Sequence, residues 1–205
     1  MGKIAQFLTI CINFVFLNNI EIFMFFGKLF KLLVSPKVGW KGFDKYSIPN
    51  NILLSKLFYP CLAILAASKF VPFVSGYVEM DLKVMVVSAM IDFIKYFVAF
   101  FLISFWITSL FKFTAENESA TNRFNNYLVL NLCILVIINV LKNLVPGFPI
   151  FDLLPVYVVY VAYCGRLYFE IPTDKEKSFL TAMAIFLLGI PLCIKYMFEM
   201  MLPNV

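Results

Sequence analysis

The sequence predicts an all-α membrane protein, a bundle of five transmembrane helices preceded by an interfacial amphipathic helix. Three observations carry that reading. Of 205 residues, 62% are apolar and only 14% are charged, where a soluble domain has about a quarter charged. Five apolar runs reach or approach the length of roughly 20 residues that a helix needs to cross hydrocarbon. Lysine and arginine gather on one side of those runs. With mean hydropathy at +0.91, the solvent for most of this chain is lipid. There a backbone that must satisfy its own polar groups adopts helix.

Residues 1–23 form an apolar extension broken by Asn13, Asn18, Asn19 and Glu21, with no small-residue cleavage site near its end. Two readings stand: a loosely membrane-associated helix, or a stretch upstream of a true start at Met24. A sixth span here would turn the N-terminus outward. Residues 24–51 change character. In MFFGKLFKLLV (24–34), Lys28 and Lys31 share a helical face among Phe25, Phe26, Leu29, Phe30, Leu32 and Leu33. That pattern predicts a helix in the interface plane, its lysines toward anionic headgroups. Pro36 ends it, Trp40 is expected as an interfacial anchor, and Lys37, Lys41 and Lys45 extend the basic face.

Residues 52–205 hold the spans, read as Ile52 to Val71, Met85 to Phe111, Tyr127 to Val145, Ile150 to Phe169 and Phe179 to Leu202. With the N-terminus inside, the inner flanks carry eleven Lys and Arg and the outer flanks four: Lys69, Lys83, Lys142 and Lys195. This bias predicts N-inside and C-outside.

Ionisable groups within spans are functional candidates by default. Asp92 and Lys95, at i and i+3 in the second span, are expected to neutralise each other and snorkel to the interface. Asp152 sits in the first turn of the fourth span, with Lys142 a partner across the Pro-Gly-Phe-Pro turn. Arg166 lies four before Glu170, about 21 Å from Asp152 along a helix, so the two form no single pair. Pro155 and Pro191 lie inside spans and either kink them or break them as in transporters. Cys11, Cys61, Cys133, Cys164 and Cys193 are isolated in apolar runs and read as packing. Without histidine, His-metal ligation and His-dependent triads are excluded, and no cofactor is expected. The positive surplus belongs at the membrane face, so nucleic acid is not an expected partner.

The basic start, Ser35 to Trp40 (SPKVGW) and Tyr59-Pro60 together resemble the short bacterial branch of the YIP family, the Ypt/Rab-interacting-protein type of multi-pass membrane protein. Val145-Pro146 after the third span, the Tyr157, Tyr160, Tyr163 run ending in Cys164-Gly165, and Ile171-Pro172 before Asp174 to Lys177 are similar to that family's later landmarks. The resemblance covers about residues 24–202 and implies a five-span domain in a bacterial cytoplasmic membrane. Its small-GTPase partnership belongs to eukaryotic members with a long soluble N-terminal region and is not carried over. The expected function is a non-catalytic scaffold or assembly partner of another membrane system. The alternative is a small permease or transporter subunit. Expected partners are anionic lipid headgroups and an unidentified membrane protein, with homo-oligomerisation left open. A polar cavity lined by Asp92, Asn131, Asn139 or Arg166 would favour the permease; a dry bundle would favour the scaffold.

Overall fold

The computed structural model describes residues 20–44, 49–74, 81–111, 118–145, 147–166 and 175–201, and among them there is no β-strand. Helix α1 spans Ile20–Val34, and two single turns follow, α2 (Pro36–Gly39) and α3 (Lys41–Asp44). Helix α4 runs Asn50–Ser68, with a π-helical turn at Leu54–Phe58. After the short α5 (Val71–Val74) come α6 (Leu82–Phe111), α7 (Glu118–Leu144), α8 (Ile150–Gly165) and α9 (Glu176–Met201).

Four of these helices, α4, α6, α7 and α9, are long and apolar enough to cross a membrane. The fourth expected span is α8, an apolar helix of 16 residues. That is about 24 Å at 1.5 Å per residue, short of a full crossing. The residues completing the expected run to Phe169 lie outside the described ones.

The central helix is α7. It packs against α1, α4, α6 and α8, and its Phe124 and Tyr127 rings meet Phe179 of α9 at 6.2 and 6.3 Å. Around it the neighbours run α4, α6, α9, α8, then α2 and α1, which touch α8 and the π turn of α4. The N-terminal elements therefore fill the last place in a ring around α7.

Helix α1 is described from Ile20 and runs continuously past residue 24. Its apolar face is also not given wholly to lipid. Phe25, Leu29 and Leu32, spaced to share one helical face, are buried in the common core, while Phe23, Phe30 and Val34 stay exposed.

Trp40, expected as an interfacial anchor, is packed inside the bundle and only 2% exposed. Its indole Nε1 donates to the Val161 carbonyl of α8 at 2.9 Å, and its ring lies 5.3 Å from that of Tyr127. Tyr127 donates to the next carbonyl, Ala162, at 2.8 Å. The chemistry of a helix end explains the second bond. The last four carbonyls of a helix, here Ala162 to Gly165, lack an i+4 donor, and the Arg166 amide turns to the Tyr163 carbonyl, so Ala162 takes the Tyr127 hydroxyl. Val161 lies one residue inside that set, and the indole adds a donor to it.

Two glycines permit this approach. A Cβ at Gly165 would stand 2.6 Å from the Trp40 ring and 2.7 Å from Tyr127, and one at Gly39 would collide with the Leu32 backbone. Tyr157 adds a third tie, donating to the Leu33 carbonyl at 2.8 Å. The Ser35 to Trp40 stretch is thus a wedge folded back on α1 and driven beneath the end of α8.

Trp40→Ala should cost about 3–5 kcal/mol through loss of a large buried ring. Trp40→Phe, which keeps the ring and deletes one hydrogen bond, should cost about 1–2 kcal/mol. The exposed control Lys37→Ala should stay within about 0.5 kcal/mol. Thermal unfolding in detergent, followed by circular dichroism, would refute the wedge if all three variants melted with the wild type.

Candidate functional site

At the end of the bundle away from Trp40, the ring opens. Asp92 lies ten residues into α6, about 15 Å from its start in a helix about 45 Å long. Its carboxylate holds two lysines: Lys95 Nζ at 2.6 Å, one turn on, and Lys69 Nζ at 2.9 Å, just past the end of α4. Asp92 and Lys95 are both buried. The Lys95 ammonium turns inward over the Tyr96 ring at 4.8 Å because Asp92 is there to receive it. A buried charge is tolerated only when paired and hydrogen-bonded.

Amide and hydroxyl groups of neighbouring helices surround this triad. Asn139 of α7 donates to the Tyr96 hydroxyl at 2.5 Å and to the Leu135 carbonyl at 3.0 Å. One turn on, Asn143 donates to Ser68 Oγ at 2.8 Å. Lys142 donates to Asp152 across the turn between α7 and α8, and Lys195 faces Glu199 on α9 at 3.4 Å.

These groups wall two adjoining hollows of about 550 and 370 Å³, within the usual range for small-molecule sites. Both are lined by Lys69, Asp92, Lys142, Asn143, Asp152 and Lys195. Lys95, Tyr96 and Asn139 line the smaller one, with Pro155 and Pro191. Neither proline can donate to the carbonyl four residues before it, which leaves Phe151 and Leu187 without that bond. Those two residues also line the smaller hollow.

Below Asn139, Ala99, Phe100 and Ile103 of α6 and Cys133, Ile134 and Val136 of α7 are buried and apolar.

The remaining sequence candidates lie elsewhere. Asn131 lies about 12 Å before Asn139 along α7, away from the hollow. It bonds the Tyr127 carbonyl at 2.9 Å, and its buried Oδ1 has no hydrogen-bond partner among the described residues. Arg166 is at the opposite end of the bundle. Its Nε pairs with Glu176 at 2.6 Å, tying the end of α8 to the start of α9. Its guanidinium lies 3.7 Å from the Tyr163 ring centroid. The expected partner, Glu170, lies outside the described residues. Lys28 rests near the Phe25 and Phe43 rings, Lys31, Lys37 and Lys41 are exposed, and Lys45 is outside the described residues. Cys61, Cys133 and Cys164 are buried.

Sequence reasoning missed Lys69 and Lys195 as site residues. The signal was present in their placement, since three of the four outer-flank lysines reach this hollow. Among the described residues, no three acidic, cysteine or histidine side chains are grouped to hold a metal. Comparison with protein-family models, curated proteins and solved structures finds no match to this chain.

Asp92→Asn should destabilise the fold by about 3–5 kcal/mol, because it leaves two lysines without their buried counter-charge. Adding Lys95→Met to it should recover part of that loss, as the ammonium buried most deeply is then gone. Strict additivity in a double-mutant cycle, read from melting in detergent, would show that the two groups do not act as a pair.

Proposed function

We propose that the chain is a permease or transporter subunit, a five-span integral membrane protein whose polar hollow receives a small solute. One observation carries this reading: a pocket of solute size is walled by Asn139 and by a Lys69–Asp92–Lys95 triad in which Asp92 and Lys95 are buried. A scaffold acting through helix packing has no need of charges desolvated around an open volume. Charged groups at this depth are expensive in lipid and mark solute or ion pathways. The prolines of α8 and α9 on the pocket wall support the same reading, because interrupted helices at a binding site are a recurring transporter device.

In this reading α8 is the fifth crossing, by its apolar sequence out to Phe169. The lysine-poor ends of the spans face outward, and the lysines of residues 28–45 face the inner leaflet. The N-terminus is then inside and the C-terminus outside. Lys28, Lys31, Lys37 and Lys41 would lie at the cytoplasmic surface, where each basic residue near anionic lipid contributes about 1 kcal/mol. The order of the Ser35 to Trp40, Tyr59-Pro60 and Cys164-Gly165 motifs supports placing the chain beside the short bacterial YIP-type proteins in the cytoplasmic membrane. No reaction is assigned to it.

Proteoliposomes bearing the protein should take up at least one member of a panel of labelled anions, cations, amino acids and sugars faster than protein-free vesicles. Ser88→Trp, which places a ring in the larger hollow, should abolish that uptake while leaving the melting temperature close to wild type. If no solute moves, and capture in mild detergent recovers a stoichiometric membrane partner, the scaffold reading replaces this one. A reporter fused after Val205 should be active only on the outer side; activity inside would overturn the five-span count.

A further inference from the structure

We infer that the hollow is an anion site, accepting a small carboxylate or phosphate group against the ammonium groups of Lys95 and Lys69. The inference rests on the reading of the hollow as a solute site and names the class of solute. Among the described residues that wall it are four lysines, Lys69, Lys95, Lys142 and Lys195, against three carboxylates, Asp92, Asp152 and Glu199. The surplus sits at the deepest point. Lys142 has Asp152 and Lys195 has Glu199, but Lys69 and Lys95 share Asp92 alone. Each ammonium offers three donors, and a single carboxylate neutralises only one of the two charges. One more oxyanion would complete the set.

The lysines also form a graded entry. Side-chain exposure falls from 53% at Lys142 and 49% at Lys195 to 27% at Lys69 and 7% at Lys95. A cleft with a surplus of one sign of charge between low-dielectric walls attracts ions of the opposite sign. Pairing with Asp152 and Glu199 moderates this field at the mouth and leaves it strongest at the floor.

Topology strengthens the argument. Outward-facing flanks of membrane proteins are poor in lysine, and here, on the proposed orientation, they carry only four. Three of those four converge on one hollow, and Lys95 joins them from within a span. Lysines scattered only for solubility have no reason to meet in one place.

The test uses the full chain, delipidated in detergent, at constant ionic strength set with sodium chloride. Sodium acetate and sodium phosphate should each be titrated while the melting temperature is read. At least one oxyanion should give a saturable rise of about 2–4 °C that chloride does not. Lys69→Gln, at the better exposed of the two lysines, should weaken the apparent affinity at least tenfold, and Lys69→Arg should restore it. An unchanged affinity in Lys69→Gln, or no saturable shift with either oxyanion, would overturn the proposal.

A lipid phosphate could supply the same chemistry. Native mass spectrometry of protein taken from vesicles of phosphatidylglycerol, and separately of phosphatidylcholine, separates the sources. Phosphatidylglycerol retained by wild type and lost in Lys69→Gln assigns the group to a headgroup; retention of neither lipid, with the acetate or phosphate shift present, assigns it to a free solute. Uptake of a cation or sugar without an oxyanion shift sinks this inference and leaves the permease reading standing. An oxyanion shift without uptake does the reverse.

Discussion

The contact between the Trp40 indole and the end of α8 decides how the bundle closes. Helix α7 is enclosed on all sides only because α1 and α2 occupy the gap between α4 and α8. What holds them there is a large ring under Gly165, with its N–H on the Val161 carbonyl. In a low-dielectric interior an unmet carbonyl is costly. The Tyr127 hydroxyl meets the first of the end carbonyls of α8, Ala162, and the Trp40 indole adds a donor at Val161, one residue inside them. The end of α8 and the packing of the wedge therefore meet at one place.

The opposite end inverts this logic. There the helices separate, and the space between them is held open by charge. Asp92 draws two lysines inward, and the amides of Asn139 and Asn143 on α7 complete a polar lining. One central helix thus carries a tight aromatic end and a hollow charged end. Buried apolar side chains, Phe100 and Val136 among them, lie between the two.

Hydrophobic length was enough to find the helices. The apolar runs from Ile52, Met85, Tyr127, Ile150 and Phe179 each coincide with a helix, because in lipid a long apolar run has few alternatives. The Lys142–Asp152 pair was legible too, being set by one short turn. Long-range contacts were not. The destination of Trp40 depends on a glycine 125 positions later, and nothing in SPKVGW announces it. Aromatic character alone suits an interface and a core equally well. The i, i+3 spacing put Asp92 beside Lys95 but could not give the direction of the lysine. That direction follows the Asp92 carboxylate, whose other oxygen meets Lys69, 26 residues before Lys95.

The π turn at Leu54–Phe58 has a consequence for how this chain tolerates change in length. Its closing bond runs from the Tyr59 amide to the Leu54 carbonyl, and Pro60 follows without a donor of its own. A π turn holds one residue more than an α-helical turn over the same rise. Removing a single residue there would let the segment close into regular helix while Asn50–Leu53 and Tyr59–Ser68 keep their relative phase, because the turn already absorbs the extra residue. A one-residue change elsewhere in α4, with no such turn to absorb it, would rotate one part of the helix against the other by about 100°. Leu53, Leu57, Cys61 and Leu65, all buried, would then no longer share one face. The π turn is the place in α4 where a change of one residue in length can be taken up.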